Sequence, residues 1–135
     1  MPRTKDGSFW HKKIYPNQVW LDGLYMVAPF LAEYAVTFGK ESDLEDVIQQ
    51  FAHCYQQTRD LKTNLLYHAW DETKSQPWAN PETGCSDHFW GRSIGWLMMA
   101  LVDRMALLPS GAARELLAEM FAHTLLAFVN VSSSE

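Results

Sequence analysis

Asp22 stands in the segment QVWLDGLYM, between Leu21 and Gly23, with Trp20, Tyr25 and Met26 close by. A carboxyl group among rings and aliphatic chains suits general-acid chemistry, because apolar surroundings favour the form that still carries a proton. The plainer account is a first-turn carboxylate that complements a helix dipole, an effect of about 0.3–1 kcal/mol. A second group is YHAWD, where His68 alternates with Tyr67 and Ala69 and so points away from both in an extended segment. It is either a polar group satisfied within the fold or an imidazole facing a site. The third is FWGRSIGW. Arg92 there falls in the first turn of a predicted helix, where a cation opposes the dipole unless an anion or a carboxylate pairs with it. Trp90 and Trp96 flank it, and Gly91 and Gly95 weaken the helix around it. Departures from local rules concentrate at functional sites, although close packing against a neighbouring helix also accounts for glycines.

These groups must be positioned by helices. Trp20, Leu24, Val27, Leu31, Tyr34 and Phe38 recur at helical spacing and predict a first helix over 19–38, with Pro29 inside it and Gly39 at its end. A second is expected over 43–59, with Ser42 as N-cap and Glu45 completing a capping box. Residues 65–71 read as a short extended piece, and 71–88 as a long loop with Pro77, Pro81 and Gly84. The third helix runs over 89–108 and the fourth over 112–131, leaving residues 1–17 as an irregular lead-in and 132–135 as a frayed tail. The pattern is all-α. The first, third and fourth helices carry apolar residues on more than one face, so they must be packed on both sides. That predicts either further partners in a larger fold or association of the chain with copies of itself.

Composition excludes several classes. The chain has 135 residues, 47% apolar and 20% charged, which fits one globular domain. A net charge of −5 with scattered basic residues, apart from His11-Lys12-Lys13, argues against a nucleic-acid partner. Nothing approaches the run of about 18 apolar residues needed to span a membrane, and MPRTKDGSFWHKK lacks the apolar stretch of a signal peptide. Two cysteines, Cys54 and Cys85, are too few for a disulfide framework and point to reduced thiols and a cytoplasmic location. Phosphate loops, nucleophile elbows and HExxH are absent, and His11, His53, His68, His88 and His123 do not fall at metal-ligand spacing, so neither a metal nor a cofactor is expected.

Taken in order, FWHKKIYPNQVWLDGLYMVAPFLAEYA, LLYHAWD and TGCSDHFWGRSIGWLMMALVD resemble glycoside hydrolase family 105, the unsaturated rhamnogalacturonyl hydrolases. The related unsaturated glucuronyl hydrolases of family 88 remain a close alternative. The resemblance implies part of an (α/α)6 barrel of the six-hairpin glycosidase type, with about four of its helices present and the others outside residues 1–135. It implies an unsaturated oligosaccharide as substrate. Asp22 matches the family's general acid. His11, His68, Trp90, Arg92, Trp96 and Met26 match residues that line the sugar site, and Lys12 and Gln18 are further lining positions. Arg92 would pair with the uronate carboxylate, and the two tryptophans would stack on sugar rings. Two readings stay open: a hydrolase of this family, and an inactive helical fragment that self-associates or only binds sugar.

Overall fold

In the computed structural model, residues 1–132 are described. The element order is β1 (Gln18–Trp20), α1 (Leu21–Phe38), α2 (Glu41–Thr58), β2 (Ala69–Asp71), α3 (Gly91–Leu107) and α4 (Ala112–Ser132). The four helices match the expected ones to within a few residues. Of the frayed tail expected over 132–135, Ser132 instead ends α4, and 133–135 lie outside the described residues.

One helix start differs. Val19 and Trp20 continue the apolar stripe of α1 in sequence, but their backbone is extended and forms β1. β1 pairs antiparallel with β2 in the register Gln18↔Asp71, Val19↔Trp70, Trp20↔Ala69. The extended piece expected over 65–71 is therefore real, and it has a partner that helical periodicity concealed. The cap of α2 also moves. Lys40 occupies the N-cap, and its backbone N–H donates to Asp43 Oδ2 at 2.9 Å, so Asp43 rather than Glu45 supplies the first-turn carboxylate.

The core joins all four helices. Leu21, Leu24, Ala28 and Ala32 of α1 meet Val47, Phe51 and Cys54 of α2, Ile94, Leu97 and Leu101 of α3, and Leu117 and Met120 of α4. α1 packs against both α2 and α3, and α4 against α3 and α2. Ala28, Ala32 and Ala35 are all buried at a spacing of three to four residues, a strip of small side chains that lets neighbouring backbones approach. The opposite face of α1 is bare: Met26, Phe30, Tyr34 and Phe38, at a spacing of four, are all exposed. Arg104 of α3 is the reverse case. Its side chain is fully buried, and none of its three guanidinium nitrogens has a hydrogen-bond partner among the described residues. Burial pushes its pKa down.

The lead-in is irregular but fastened. Arg3 forms a two-pronged ion pair with Asp46 of α2, both contacts at 2.7 Å. Phe9 N–H donates to Gln50 Oε1 at 2.7 Å, and Gln50 Nε2 returns a bond to Gly7 O at 3.0 Å. Close packing does not explain Gly95, since a Cβ there would meet nothing within 4 Å. Among the described residues, no helix is long and apolar enough to cross a membrane.

Candidate active site

Short backbone pairings bring the separated sequence groups to one end of the helices. Leu21 N–H donates to His68 O at 3.2 Å, extending the β1–β2 pairing by one step and setting His68 beside the first turn of α1. A third extended segment joins on the other side: Ser86 N–H donates to Ala69 O at 2.9 Å and His68 N–H to His88 O at 3.4 Å. That segment leads directly into Trp90 and Arg92 at the start of α3. His11 arrives from the lead-in because its N–H donates to Gln18 O at 2.7 Å.

The side chains converge around Trp20. The His11 ring stacks on it at 4.4 Å between centroids with an interplanar angle of 3°, and Tyr15 stacks at 5.2 Å. His68 meets Trp20 edge-on at 5.1 Å and Trp90 edge-on at 5.2 Å. Gln18, itself buried, accepts the Trp20 indole N–H at 3.0 Å and fixes the ring. Gly23 matters for the same reason: a Cβ there would lie 2.8 Å from His11 Nδ1, so only glycine lets the imidazole rest against α1.

Asp22 Oδ1 lies 3.9 Å from His68 Nδ1, too far for a hydrogen bond, with side chains 21% and 24% exposed. Burial pushes the His68 imidazole below its ordinary 6.5, although Asp22 pulls it partly back, so the contact is not an ion pair at neutral pH. His11 is also lowered, first by burial and then by Lys12, with Asp22 again opposing. Asp22 Oδ1, His68 Nδ1 and His11 Nδ1 are all buried atoms without a hydrogen-bond partner among the described residues. Leaving such atoms unpaired costs about 1–3 kcal/mol each, a cost that a bound polar ligand would relieve.

Arg92 is the second residue of α3 and exposed, and it has no carboxylate partner among the described residues. Its guanidinium sits 4.2 Å over the Trp90 ring instead. The other expected lining residues do not join this group. Trp96 packs on Tyr25, with centroids 4.6 Å apart, and Met26 belongs to the exposed stripe of α1. Lys12 is exposed on the turn after His11.

An open cleft of about 520 Å³ is lined by Trp20, His68, Trp78, Asp87, His88, Phe89 and Trp90. This size suits a small organic ligand. Trp20, Trp78, Asp87, His88 and Phe89 were not singled out from sequence as site residues. Trp20 reads there as part of the apolar stripe, Phe89 as the start of the third helix, and Trp78, Asp87 and His88 sit in a loop with no periodicity; tryptophans outside predicted helix interiors were the available signal.

The loop that carries Trp78 is built around Asp71, whose carboxylate is fully buried. It accepts from Thr73 N–H at 3.0 Å, Thr73 Oγ1 at 2.7 Å, Ser75 N–H at 2.8 Å and Gln76 N–H at 3.0 Å. Burial pushes this carboxyl up, but the bonds from Thr73, Gln76 and Ser75 more than offset it and hold it below the ordinary 3.8. Gly84, at φ +82°, closes the loop where a side chain would collide with Asp71 O.

Known proteins share this fold. A glycoside hydrolase from family 105 of C. acetobutylicum superposes with a TM-score of 0.93 at 49% identity, over 96% of this chain and 36% of that one. The unsaturated rhamnogalacturonyl hydrolase YesR of Bacillus subtilis is 29% identical over 112 residues, 79% of this chain and 30% of that protein. A protein of Agrobacterium fabrum is 42% identical over 88 residues, 65% of this chain and 37% of its own length. The chain thus spans between 30% and 37% of the length of these relatives. All of residues 1–135 match the family described as Glycosyl Hydrolase Family 88, and the chain belongs to that family.

Proposed function

We propose that this chain carries the acid-bearing part of a glycoside hydrolase acting on oligosaccharides that end in a C4=C5-unsaturated uronic acid, of the unsaturated rhamnogalacturonyl type. Asp22 gives its proton to C4, and water adds its oxygen to C5 and loses a proton to solvent. The resulting hemiketal opens by breaking the bond between C5 and the ring oxygen. The hemiacetal left at C1 then collapses, releasing the leaving-group alcohol and an aldehyde. One acid suffices, because the substrate is a vinyl ether; the paired carboxylates of ordinary glycosidases are not needed.

The observation that carries this reading is the set of three buried atoms on Asp22, His68 and His11 without partners among the described residues, both imidazoles packed against Trp20, which with His68 lines the aromatic cleft. Two neutral imidazoles beside the acid leave room for a sugar hydroxyl or a water rather than a competing ion pair. Arg92 stays free of carboxylates and suits the uronate carboxylate as a charge-assisted partner. The family match over the whole chain favours an enzyme over an inert helical fragment. The free, buried Cys54 and Cys85 support a reducing, cytoplasmic setting, in which such a chain would take part in pectin breakdown. The bare stripe on α1 supports association with a second copy.

The test follows the ultraviolet absorbance of the C4=C5 bond on an unsaturated rhamnogalacturonan disaccharide. Asp22→Asn should abolish its loss, since an amide of the same shape delivers no proton. Arg92→Ala should chiefly raise KM. Full turnover in Asp22→Asn would overturn the assignment of the acid.

A further inference from the structure

We infer that Trp10 is a positioning residue for His11, acting through a buried water that fixes which imidazole nitrogen carries the proton. The inference rests on the reading of His11 as a lining residue of the sugar site. Among the described residues, His11 is not part of the lining of the aromatic cleft. Its Nδ1 lies against Gly23, where a Cβ would come within 2.8 Å of it. His11 and Gly23 both line a second, smaller cavity, together with Trp10, Leu24, Ala28 and Gln50. The volume of that cavity is about 30 Å³, room for a water but not for a sugar.

Trp10 breaks the pattern of the other indoles packed into this end of the fold. Trp20 N–H donates to Gln18 Oε1 at 3.0 Å, and Trp70 N–H to Thr83 O at 3.1 Å. Trp10 Nε1 is enclosed as well, yet it has no partner among the described residues, whereas a buried indole N–H usually finds one. Its chain neighbour His11 brings a second enclosed nitrogen without a partner to the lining of the same cavity. Gln50 supplies a third group. It is buried, and its Oε1 accepts from Phe9 N–H at 2.7 Å, which leaves the second lone pair of a carbonyl oxygen. One donor and two acceptors around a space of this size match the needs of a buried water. The Trp10 N–H donates to the water oxygen, and the water donates to His11 Nδ1 and Gln50 Oε1. A ring nitrogen that accepts carries no proton, so the single proton of the neutral imidazole sits on Nε2. Burial and Lys12 favour that neutral ring, against the pull of Asp22. Nε2–H is then a fixed donor for a substrate oxygen, on a ring held flat against Trp20.

Nitrogen-15 magnetic resonance of the ligand-free full chain, at about pH 8 so that the imidazoles are neutral, tests this without substrate. His11 Nδ1 should show the resonance of a bare nitrogen and Nε2 that of a protonated one. The Trp10 indole proton should give a cross-peak to water. Trp10→Phe keeps a ring in the cavity wall and removes the N–H. It should let the His11 proton populate Nδ1 and raise KM for an unsaturated rhamnogalacturonan disaccharide about fivefold, with a smaller change in kcat. His11→Gln, whose amide N–H reaches the place of Nε2, should keep a lower KM than His11→Asn, whose amide stands at Nδ1. A proton on Nδ1 in the wild-type chain, or no water contact at the Trp10 indole, overturns the inference. Wild-type tautomer and KM in Trp10→Phe overturn it too, as does a KM for His11→Asn no higher than that for His11→Gln. Should Trp10→Phe fail to fold by circular dichroism, the wild-type spectra and the His11 pair decide. A wild-type chain that turns over no disaccharide refutes the hydrolase reading, and the spectra alone then decide the tautomer and the water.

Discussion

Replacing Asp71 by asparagine should loosen the loop over the cleft while leaving the helical core folded. The amide keeps one oxygen, so the contacts from Thr73 can persist. Its nitrogen, however, would face Ser75 N–H and Gln76 N–H, setting a donor against two donors that now sit 2.8 and 3.0 Å from Oδ2. An unmet buried donor costs about 1–3 kcal/mol. Ser75 is exposed and Gln76 half-buried, so water partly relieves both and the lower end applies, giving about 2 kcal/mol in all. For a chain of this size that lowers Tm by about 5–10 °C. Urea denaturation measures the total, and amide hydrogen exchange should show faster opening confined to 72–86. A pH series adds a signed check. The Asp71 carboxyl is held below 3.8 in the folded chain, so its contribution is present above that value and is lost as pH falls through the lowered folded value. Asp6, Asp46 and Asp60 are lowered too, so the comparison is the wild-type profile minus that of Asp71→Asn, which should shrink below 3.8. A stability loss under about 0.5 kcal/mol with unchanged exchange in the loop would refute the argument.

Arg104→Met should raise stability by about 1–3 kcal/mol, since it removes a buried cation without a partner among the described residues; a less stable variant in urea denaturation would contradict this. His68 and His11 are both pushed below 6.5 in the folded chain, so the unfolded chain takes up protons first as pH falls. Tm should therefore drop between pH 7.5 and 5.5, and His68→Gln should flatten part of that drop; a Tm that rises on acidification would oppose it. Sedimentation velocity should show the chain associating, with Phe30→Asp shifting it towards the monomer; identical profiles would remove the α1 stripe as the contact.

Helical periodicity was enough to find α2, α3 and α4, because their buried residues recur at three and four positions on continuous segments. It misjudged the start of α1. Trp20 lies four residues before Leu24 and so extends the stripe, yet pairing with Ala69 takes its backbone into a strand of three residues, too short to show alternation. Asp22, His68 and Arg92 were legible as segments in family order. Their approach depends on contacts such as Leu21 N–H to His68 O, which no local pattern encodes. Trp78 and Asp87 lie in a segment ordered by Asp71 and Gly84 rather than by repeating apolar positions. Trp96 and Met26 carry the residue types of a sugar site, but one packs against Tyr25 and the other belongs to an exposed row. Arg104 stands in the last turn of α3 and was not singled out from sequence; only its burial shows a guanidinium without a partner among the described residues.

Proton delivery by Asp22 is tested most directly by running the reaction in D2O. Nuclear magnetic resonance would follow the vinyl hydrogen at C4 of an unsaturated rhamnogalacturonan disaccharide. The account predicts that the chain consumes this signal and yields a product carrying deuterium at C4, and that Asp22→Asn leaves the signal unchanged for as long as the wild type takes to finish. A vinyl signal that persists with the wild-type chain, or deuterium entering C4 at the wild-type rate in Asp22→Asn, would contradict it.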